Sequence, residues 1–425
     1  MTTRAAGLLG LVLLGIFAHA ESPKSEPPAA TPPVLTVEAA VHYALENNPA
    51  LAAQRQQHGI AAAKVVIADT YPFNPVLENR IQAAGGPPAA DVVNNVPVEH
   101  VLLWEVEVRG QRRYRRQAAA AGLARTDWEI ARQEQLLAVQ TVRAYEGLLY
   151  RREKLRLIEE TVAFNRRLVD DVRRVIDLRK LRKEDLIVAQ MEVTETLDLA
   201  SAGREALVAA RQDVYRALGA CGGEFEVEGT LETPAEVWDA EALTQLATAR
   251  RADLQARRAA VQEAAANRLL ALANRKGNPV VGPMFAYDPS KIHSIGAQIN
   301  LPLPIPNRRR GEIMQGEAEQ VRAALELRQA EIEVCQDVAA ALAKLDVAEK
   351  RAETFRSQAL PDLRRAVEDM EKLLQNGDVD LLKVIEVRRK LLKARDSYLD
   401  ALWSVRQARA DLLAATGEPV LAFCK

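Results

Sequence analysis

Leu102-Leu103-Trp104-Glu105-Val106-Glu107-Val108-Arg109-Gly110-Gln111-Arg112 and Leu301-Pro302-Leu303-Pro304-Ile305-Pro306-Asn307-Arg308-Arg309-Arg310-Gly311 are one passage written twice. Each marks a change of period, from alternation of two to a long helical pattern. Upstream the duplication continues. Arg251-Ala252-Asp253-Leu254 stands where the first half has Asn48-Pro49-Ala50-Leu51, and helical stretches end at Asn74-Pro75 and Asn278-Pro279. Thr36 is placed to cap a helix running to about Asn47, and Pro49 suits the first position of the next helix, which runs to about Thr70. The expected repeats span 35–230 and 231–425, each with short helices, a β-hairpin (73–109 and 279–305) and a long helical hairpin (111–218 and 312–416).

The alternation sorts residues, more cleanly in the second copy than in the first. Val98, Leu102, Trp104, Val106 and Val108 share one parity, with Glu99, Glu105, Glu107 and Arg109 on the other. In the second copy Ile295, Ala297, Ile299, Leu301, Leu303 and Ile305 oppose Ser294, Gly296, Gln298 and Asn300. Such segments fit strands of a membrane barrel, with lipid on one side and water on the other. An ordinary one-sided sheet packed on helices has the same period. Residues 84–96 and 287–293 have the composition of hairpin loops. Four strands leave two open edges, whereas three copies of the chain would supply twelve and remove every edge.

From Gly110 to about Asp177 there is no proline, so a helix of ~65 residues, ~100 Å long, is expected. Leu148, Leu155, Val162, Val169 and Ile176 fall at seven-residue spacing, with Ile158 and Val172 at the companion position. Leu360, Val367 and Leu374, with Leu363 and Met370, do the same in the second half. Both runs imply coiled-coil seams. The return helices, about 184–218 and 378–415, end at Gly219 and Gly417, and Pro361 is expected to bend its helix.

Aromatic residues make up 4% and charged residues 27% of the 425, a balance that favours long helices over a thick core. A formal net charge of −1 argues against a nucleic-acid partner. Met1–Ala20 has a basic start at Arg4, a short apolar run and the ending Ala18-His19-Ala20, the pattern of a secretory signal cleaved between Ala20 and Glu21. An uncleaved anchor is the alternative, although the run is short for a span of ~20 residues. No cysteine stands at the cleavage point, so no lipid is expected there, and residues 21–34 have a disordered leader's composition. Of the three cysteines, Cys335 is expected to be a small buried residue of a helix, and a bridge between Cys221 and Cys424 is left open.

Together the strand exits, the duplication and the hairpins resemble the TolC-like family of outer-membrane efflux proteins, over nearly the whole mature chain. The most specific piece, Ile299-Asn300-Leu301-Pro302-Leu303-Pro304-Ile305-Pro306-Asn307-Arg308-Arg309-Arg310-Gly311, is similar to the proline-rich strand exit of the heavy-metal (cobalt–zinc–cadmium type) branch. Leu391-Leu392-Lys393-Ala394-Arg395-Asp396-Ser397-Tyr398-Leu399-Asp400-Ala401-Leu402 points to the same branch. The resemblance implies a mainly α chain with a small β part. Its homotrimer would carry a twelve-stranded outer-membrane β-barrel and a long α-helical barrel in the periplasm. It also implies a periplasmic adaptor protein and an inner-membrane pump of the resistance–nodulation–division type as partners. A passive export duct, with no reaction and no cofactor, is the expectation. A drug or type I protein-secretion channel shares this architecture, and a soluble periplasmic coiled-coil scaffold is the rival outside the family.

The scattered histidines His19, His42, His58, His100 and His293 lack metal-ligand spacing. A conduit must in any case release what it passes. Trp104 and Tyr287 suit a membrane interface, core packing being equally open to Trp104, while Trp128, Trp238 and Trp403 are expected to pack. Arg109, Gly110, Pro302, Pro304, Arg308 and Gly311 form the strand-exit motif. At the hairpin tips, where relatives carry glycine, the first has Arg179 within Arg179-Lys180-Leu181-Arg182-Lys183 and the second keeps Gly377 beside Asp378 and Asp380. The family's acidic position six residues on is met by Asp185 in the first tip and by Lys383 in the second. These tip residues are the expected adaptor contact and gate, closed by pairs such as Asp378 or Asp380 with Arg182 or Lys183 of a neighbouring hairpin. Exposed pairs contribute only ~0–1 kcal/mol each. Mere solvation of two turns is the alternative.

Overall fold

The computed structural model describes residues 34–82, 97–177, 182–232, 236, 238–287, 292–376 and 381–418. The signal sequence with its Ala20–Glu21 junction, most of the leader, the core of both hairpin loops and Cys424 lie outside the described residues. So do Arg179, Lys180, Gly377, Asp378 and Asp380.

The first half runs β1 (Val34–Leu35), α1 (Val37–Asn47), α2 (Pro49–Asp69), β2 (Val76–Ile81), β3 (Val98–Glu105), α3 (Gln111–Asp177) and α4 (Lys183–Leu218). The second repeats the order with β4 (Glu226–Val227), α5 (Ala240–Arg250), α6 (Ala252–Ala273), β5 (Val280–Tyr287), β6 (His293–Asn300), α7 (Arg310–Thr354), α8 (Leu360–Asn376) and α9 (Leu381–Thr416). The fold is mainly α, internally duplicated, with a two-stranded and a four-stranded sheet among the described residues.

Local chemistry sets the element ends. Thr36 Oγ1 accepts from the Ala39 amide at 3.2 Å, and Asn48 Oδ1 accepts from Ala50 and Leu51 at 2.9 and 3.3 Å, which frees Pro49 to open α2 without a donor. The second half solves the same junction differently. Arg251, in the place of Asn48, cannot accept; its nearly buried guanidinium pairs with Asp253 at 2.6 Å and Asp337 at 2.7 Å, while Asp253 Oδ1 takes the Leu254 amide at 2.9 Å. Both return helices end on a left-handed glycine, Gly219 (φ 74°) and Gly417 (φ 75°). Each glycine packs on its junction: a Cβ on Gly219 would lie 3.0 Å from Asn48 Cα, and one on Gly417 3.1 Å from Arg251 Cα. A π turn, Phe355–Ala359, separates α7 from α8 and falls just before Pro361, whose missing N–H interrupts the helical ladder.

The largest buried cluster gathers Leu35, Tyr145, Leu148, Val214, Leu218, Val227, Leu254, Val338 and Leu412 from both halves. At its centre the two-residue strands β1 and β4 pair in parallel. Val34 therefore belongs to a strand rather than to the leader. Tyr145, fully buried, donates to the Leu35 carbonyl at 2.8 Å and accepts from the Glu228 amide at 3.1 Å. Two packing expectations are corrected. Cys335 is exposed on α7, and Trp128 on α3 is 41% exposed, because both helices turn a side away from the chain's own core. Trp403 stacks on Tyr150, with ring centroids 5.2 Å apart, as a packing residue does.

The remaining strands form one antiparallel sheet in the order β2-β3-β5-β6, so the first hairpin joins the second through β3 and β5. Tyr287 and His293, at the ends of the second loop, are themselves paired strand residues. The sheet ends earlier than the alternation does: β3 stops at Glu105 and β6 at Asn300.

Candidate membrane face and duct wall

Register assigns every strand residue to a side. Opposite partners such as Leu77 and Leu102, His100 and Phe285, or Phe285 and Ile295 share a face, and alternation fixes the rest. One face carries Leu77, Ile81, Val98, Leu102 and Trp104, continuing across Val281, Phe285, Ile295 and Ile299, with the Asn79–His100 pair (2.7 Å) as a polar interruption in it. No helix covers it, and Ile295 is 86% exposed. The other face mixes Glu78, Arg80, Glu99, Ser294, Gln298 and Asn300 with the buried Val101 and Leu103 and with Met284, and Arg80 and Glu99 pair across the strands at 2.8 Å. Aromatic rings mark both ends of the apolar face. Tyr71 meets Phe73 and Trp104 edge-on at the helical end, and Tyr287 and Phe285 lie against His293 at the loop end.

Gly282 and Pro283 sit in the middle of β5. A Cβ on Gly282 would lie 1.7 Å from the Leu102 carbonyl oxygen, so only glycine allows β3 and β5 to approach this closely. The alternation in the sequence carries no sign of this close approach.

The strand exits lock the two halves together. Arg109 Nη1 donates to the Gly277 carbonyl at 2.6 Å, Gln111 Nε2 to Asn278 Oδ1 at 2.5 Å, and Asn278 Nδ2 to Glu105 Oε1 at 3.0 Å. Gly277 lies against Pro302, where a Cβ would come within 2.8 Å of the ring. Gly110 is left-handed (φ 72°), and at the matching point before α7 the left-handed residue is Arg309 (φ 47°). Gly311, the glycine of the second motif, lies inside α7 with open space around it. The aligned exits already matched Gly110 to Arg309.

Below the sheet the helices are tied by charge. Lys154 on α3 bridges Asp396 and Asp400 on α9 at 2.9 and 2.8 Å. Burial alone would lower the Lys154 pKa, but the hydrogen bonds its ammonium makes with Asp400, Tyr150 and Asp396 raise it above the ordinary lysine range. Arg389 on α9 reaches Glu192 and Glu195 on α4 at 2.5 and 2.6 Å. Glu146 on α3 is nearly enclosed, held by Arg406 at 3.2 Å, and its second oxygen has no hydrogen-bond partner. Burial pushes its carboxyl up to about 7, against the pull of Arg406, Arg409 and Arg143. Arg406 also donates to the Thr230 and Leu231 carbonyls at 2.7 and 3.2 Å, fastening the segment after β4 to the helices.

Toward the tips, Leu168, Val169, Val172, Ala189, Leu381, Val384 and Ile385 close a small core between the hairpins. Arg182, Lys183 and Lys383 are exposed around it, and Asp185 is half-buried. Asp185 has a local task, accepting the Arg182 amide at 2.8 Å at the start of α4. Among the described residues no group of three or more His, Cys, Asp and Glu side chains could hold a metal ion. No described helix is long and apolar enough to cross a membrane, which says nothing of the sheet.

No curated protein sequence matches the chain. Among solved structures, that of CusC, described for its folding and transmembrane channel formation, is 18% identical with a TM-score of 0.75, covering 94% of this chain and 100% of that one. The outer-membrane channel OprN is 15% identical with a TM-score of 0.74, covering 90% of each chain. The outer membrane protein VceC of Vibrio cholerae is also 15% identical with a TM-score of 0.74, covering 90% of this chain and 96% of that one. Residues 243–418, most of the second half, match the model of the outer membrane efflux protein family. The chain thus has the fold of these channels over nine-tenths of its length, and its second repeat is similar to the outer membrane efflux protein family.

Proposed function

We propose that three copies of this chain close a twelve-stranded barrel through the outer membrane, continued by an α-helical duct in the periplasm. In this reading it is the passive channel of a tripartite efflux pump, reaching its membrane by a cleaved signal and without a lipid anchor. The observation that carries the reading is the sheet: one face is mainly apolar across all four strands, interrupted by the Asn79–His100 pair, and uncovered, and both edge strands, β2 and β6, are open. Neighbouring copies would pair those edges. Apolar residues at helical spacing also face outward on α7 (Met314, Val321, Leu325, Ile332) and α2 (Ile60, Ile67), as a wall built from several copies requires.

The same reading gives the hairpin tips to a periplasmic adaptor and an inner-membrane pump, with Arg182, Lys183, Asp185 and Lys383 at the rim together with Arg179, Lys180, Gly377, Asp378 and Asp380. The proline-rich exit through Pro302, Pro304 and Pro306 supports heavy-metal cations as cargo. Purification of the chain from outer membranes in detergent, followed by its mass and its single-channel conductance, tests the proposal. A trimer with a small gated conductance is expected. A chain that stays monodisperse without detergent and conducts nothing overturns it in favour of a scaffold.

A further inference from the structure

The apolar row on β6 does not stop with the strand. Ile295, Ala297 and Ile299 continue into Leu301, Leu303 and Ile305, each of the last three well exposed. From Ile295 to Leu303 eight steps of about 3.3 Å make about 26 Å, and a tilt of about 40° reduces this to a height of about 20 Å, most of the ~25 Å apolar band of an outer-membrane barrel. The residues that follow this row are Asn307-Arg308-Arg309-Arg310. A hydrogen bond from the Ile305 amide to the Leu303 carbonyl, 2.9 Å, turns the chain there, and left-handed Arg309 swings it into α7.

Other cations gather at the same level. Gly277 touches both Pro302 and Arg109, so the turn carrying Arg275 and Lys276 lies beside this exit. Arg112 and Arg116 are spent on Asp69, and Arg115 on Glu107. Arg113, Arg275, Lys276, Arg308, Arg309 and Arg310 are exposed and make no ion pair among the described residues. From Leu301 to Gly311 there is no acidic residue, and Glu312 is the first carboxylate met.

We infer that this basic collar binds the phosphates of anionic phospholipids in the leaflet nearest the helical domain, an inference that rests on the barrel reading above. Guanidinium groups bind phosphate oxygens in a forked geometry, and a collar at the edge of the apolar band meets headgroups at their own depth. The two halves contribute unequally. The second supplies the arginine run, where the first has the single exposed Arg113 beyond its committed arginines.

Native mass spectrometry of the purified full-length assembly, titrated with phosphatidylglycerol or phosphatidylcholine, tests the collar. Preferential retention of phosphatidylglycerol is expected, falling on the order of 100-fold at low salt in Arg308→Gln/Arg309→Gly/Arg310→Gln. Arg308→Lys/Arg310→Lys, which keeps the charge, should retain the preference and guards against misfolding as the cause. Equal retention of the two lipids by the unsubstituted protein, or an unchanged preference in the triple variant, overturns the inference. Displacement of phosphatidylglycerol by an equal concentration of inorganic phosphate does so too, since it reveals a bare anion site. Flotation with phosphatidylcholine vesicles reads the barrel separately: protein that floats without lipid preference refutes the collar alone, and protein that never floats refutes the barrel.

Discussion

Gly282→Ala should separate the two halves of the sheet. The added methyl would sit 1.7 Å from the Leu102 oxygen, 2.7 Å from its carbonyl carbon and 3.1 Å from Leu103 Cα, all backbone atoms that no rotamer change can move. Real contacts of this kind stay beyond 3.0 Å, so β3 and β5 must part by about 1.3 Å. Ladder bonds of about 2.9 Å would then stretch past 4 Å, beyond hydrogen-bonding distance. Losing two or three such bonds, each contributing about 1 kcal/mol, costs roughly 2–3 kcal/mol per chain. That cost falls where the first hairpin joins the second, so the sheet should split there before it unpairs within either hairpin. The assay is thermal unfolding in detergent, followed by the change in gel mobility that accompanies loss of β-structure. Gly296→Ala serves as the control, because a Cβ there meets only the Met284 methyl at 3.6 Å. Equal melting of the two variants would refute the close-approach argument.

Other substitutions test separate claims. Ile299→Arg, near the middle of the apolar row, should cost about 2–4 kcal/mol if that face meets lipid and prevent accumulation in the membrane; normal assembly would contradict lipid contact. Arg309→Gly relieves a left-handed side chain and should stabilise by about 1 kcal/mol, read as a raised melting temperature. The Glu146 carboxyl is raised on folding, so the native state holds a proton that the unfolded chain has lost between pH ~4.5 and ~7. Stability should therefore fall as pH rises through that window, by roughly 3 kcal/mol in full, and Glu146→Gln should flatten the melting profile. Arg251→Ala, which leaves Asp253 without its nearly buried partner, should destabilise by about 3 kcal/mol, whereas exposed Arg113→Ala should change little.

What the sequence disclosed depended on period and on local chemistry. Alternation from Ser294 separated the two faces of β6, since a strand's side chains have only two directions to take, whereas from Val98 it left out His100 on the apolar side and the buried Val101 and Leu103 on the charged side. Thr36, Pro49 and the terminal glycines signalled helix ends because capping is decided within a few residues. The parallel pair of β1 and β4 was hidden, as two residues have no period and their partners lie far apart in the chain. Gly282 resembled any strand glycine, because what it permits is an approach by a backbone 180 positions earlier. The exposure of Cys335 was misjudged because a helix with apolar residues on more than one side does not say which side meets its own chain. For the strand exits the signal was present: counting along the two aligned passages sets Arg309 opposite Gly110, and the residue opposite a turn glycine inherits its left-handed backbone. The hairpin tips offered composition alone, and five of their nine named positions fall outside the described residues.

The clasp between β1 and β4 also constrains the order of events in folding. Leu35 lies near the beginning of the described chain, yet its strand partner Val227 and the carbonyl of Glu228 beside Tyr145 come about 190 residues later. The first repeat can wind its long hairpin early, but its opening strand stays unpaired until β4, beyond the end of that hairpin, is available. Closure of the waist is therefore a long-range and slow step, and the buried hydroxyl of Tyr145 reports on it. A chain interrupted between α4 and β4 would keep its helices and leave Leu35 exposed, an apolar end without a strand to hold it.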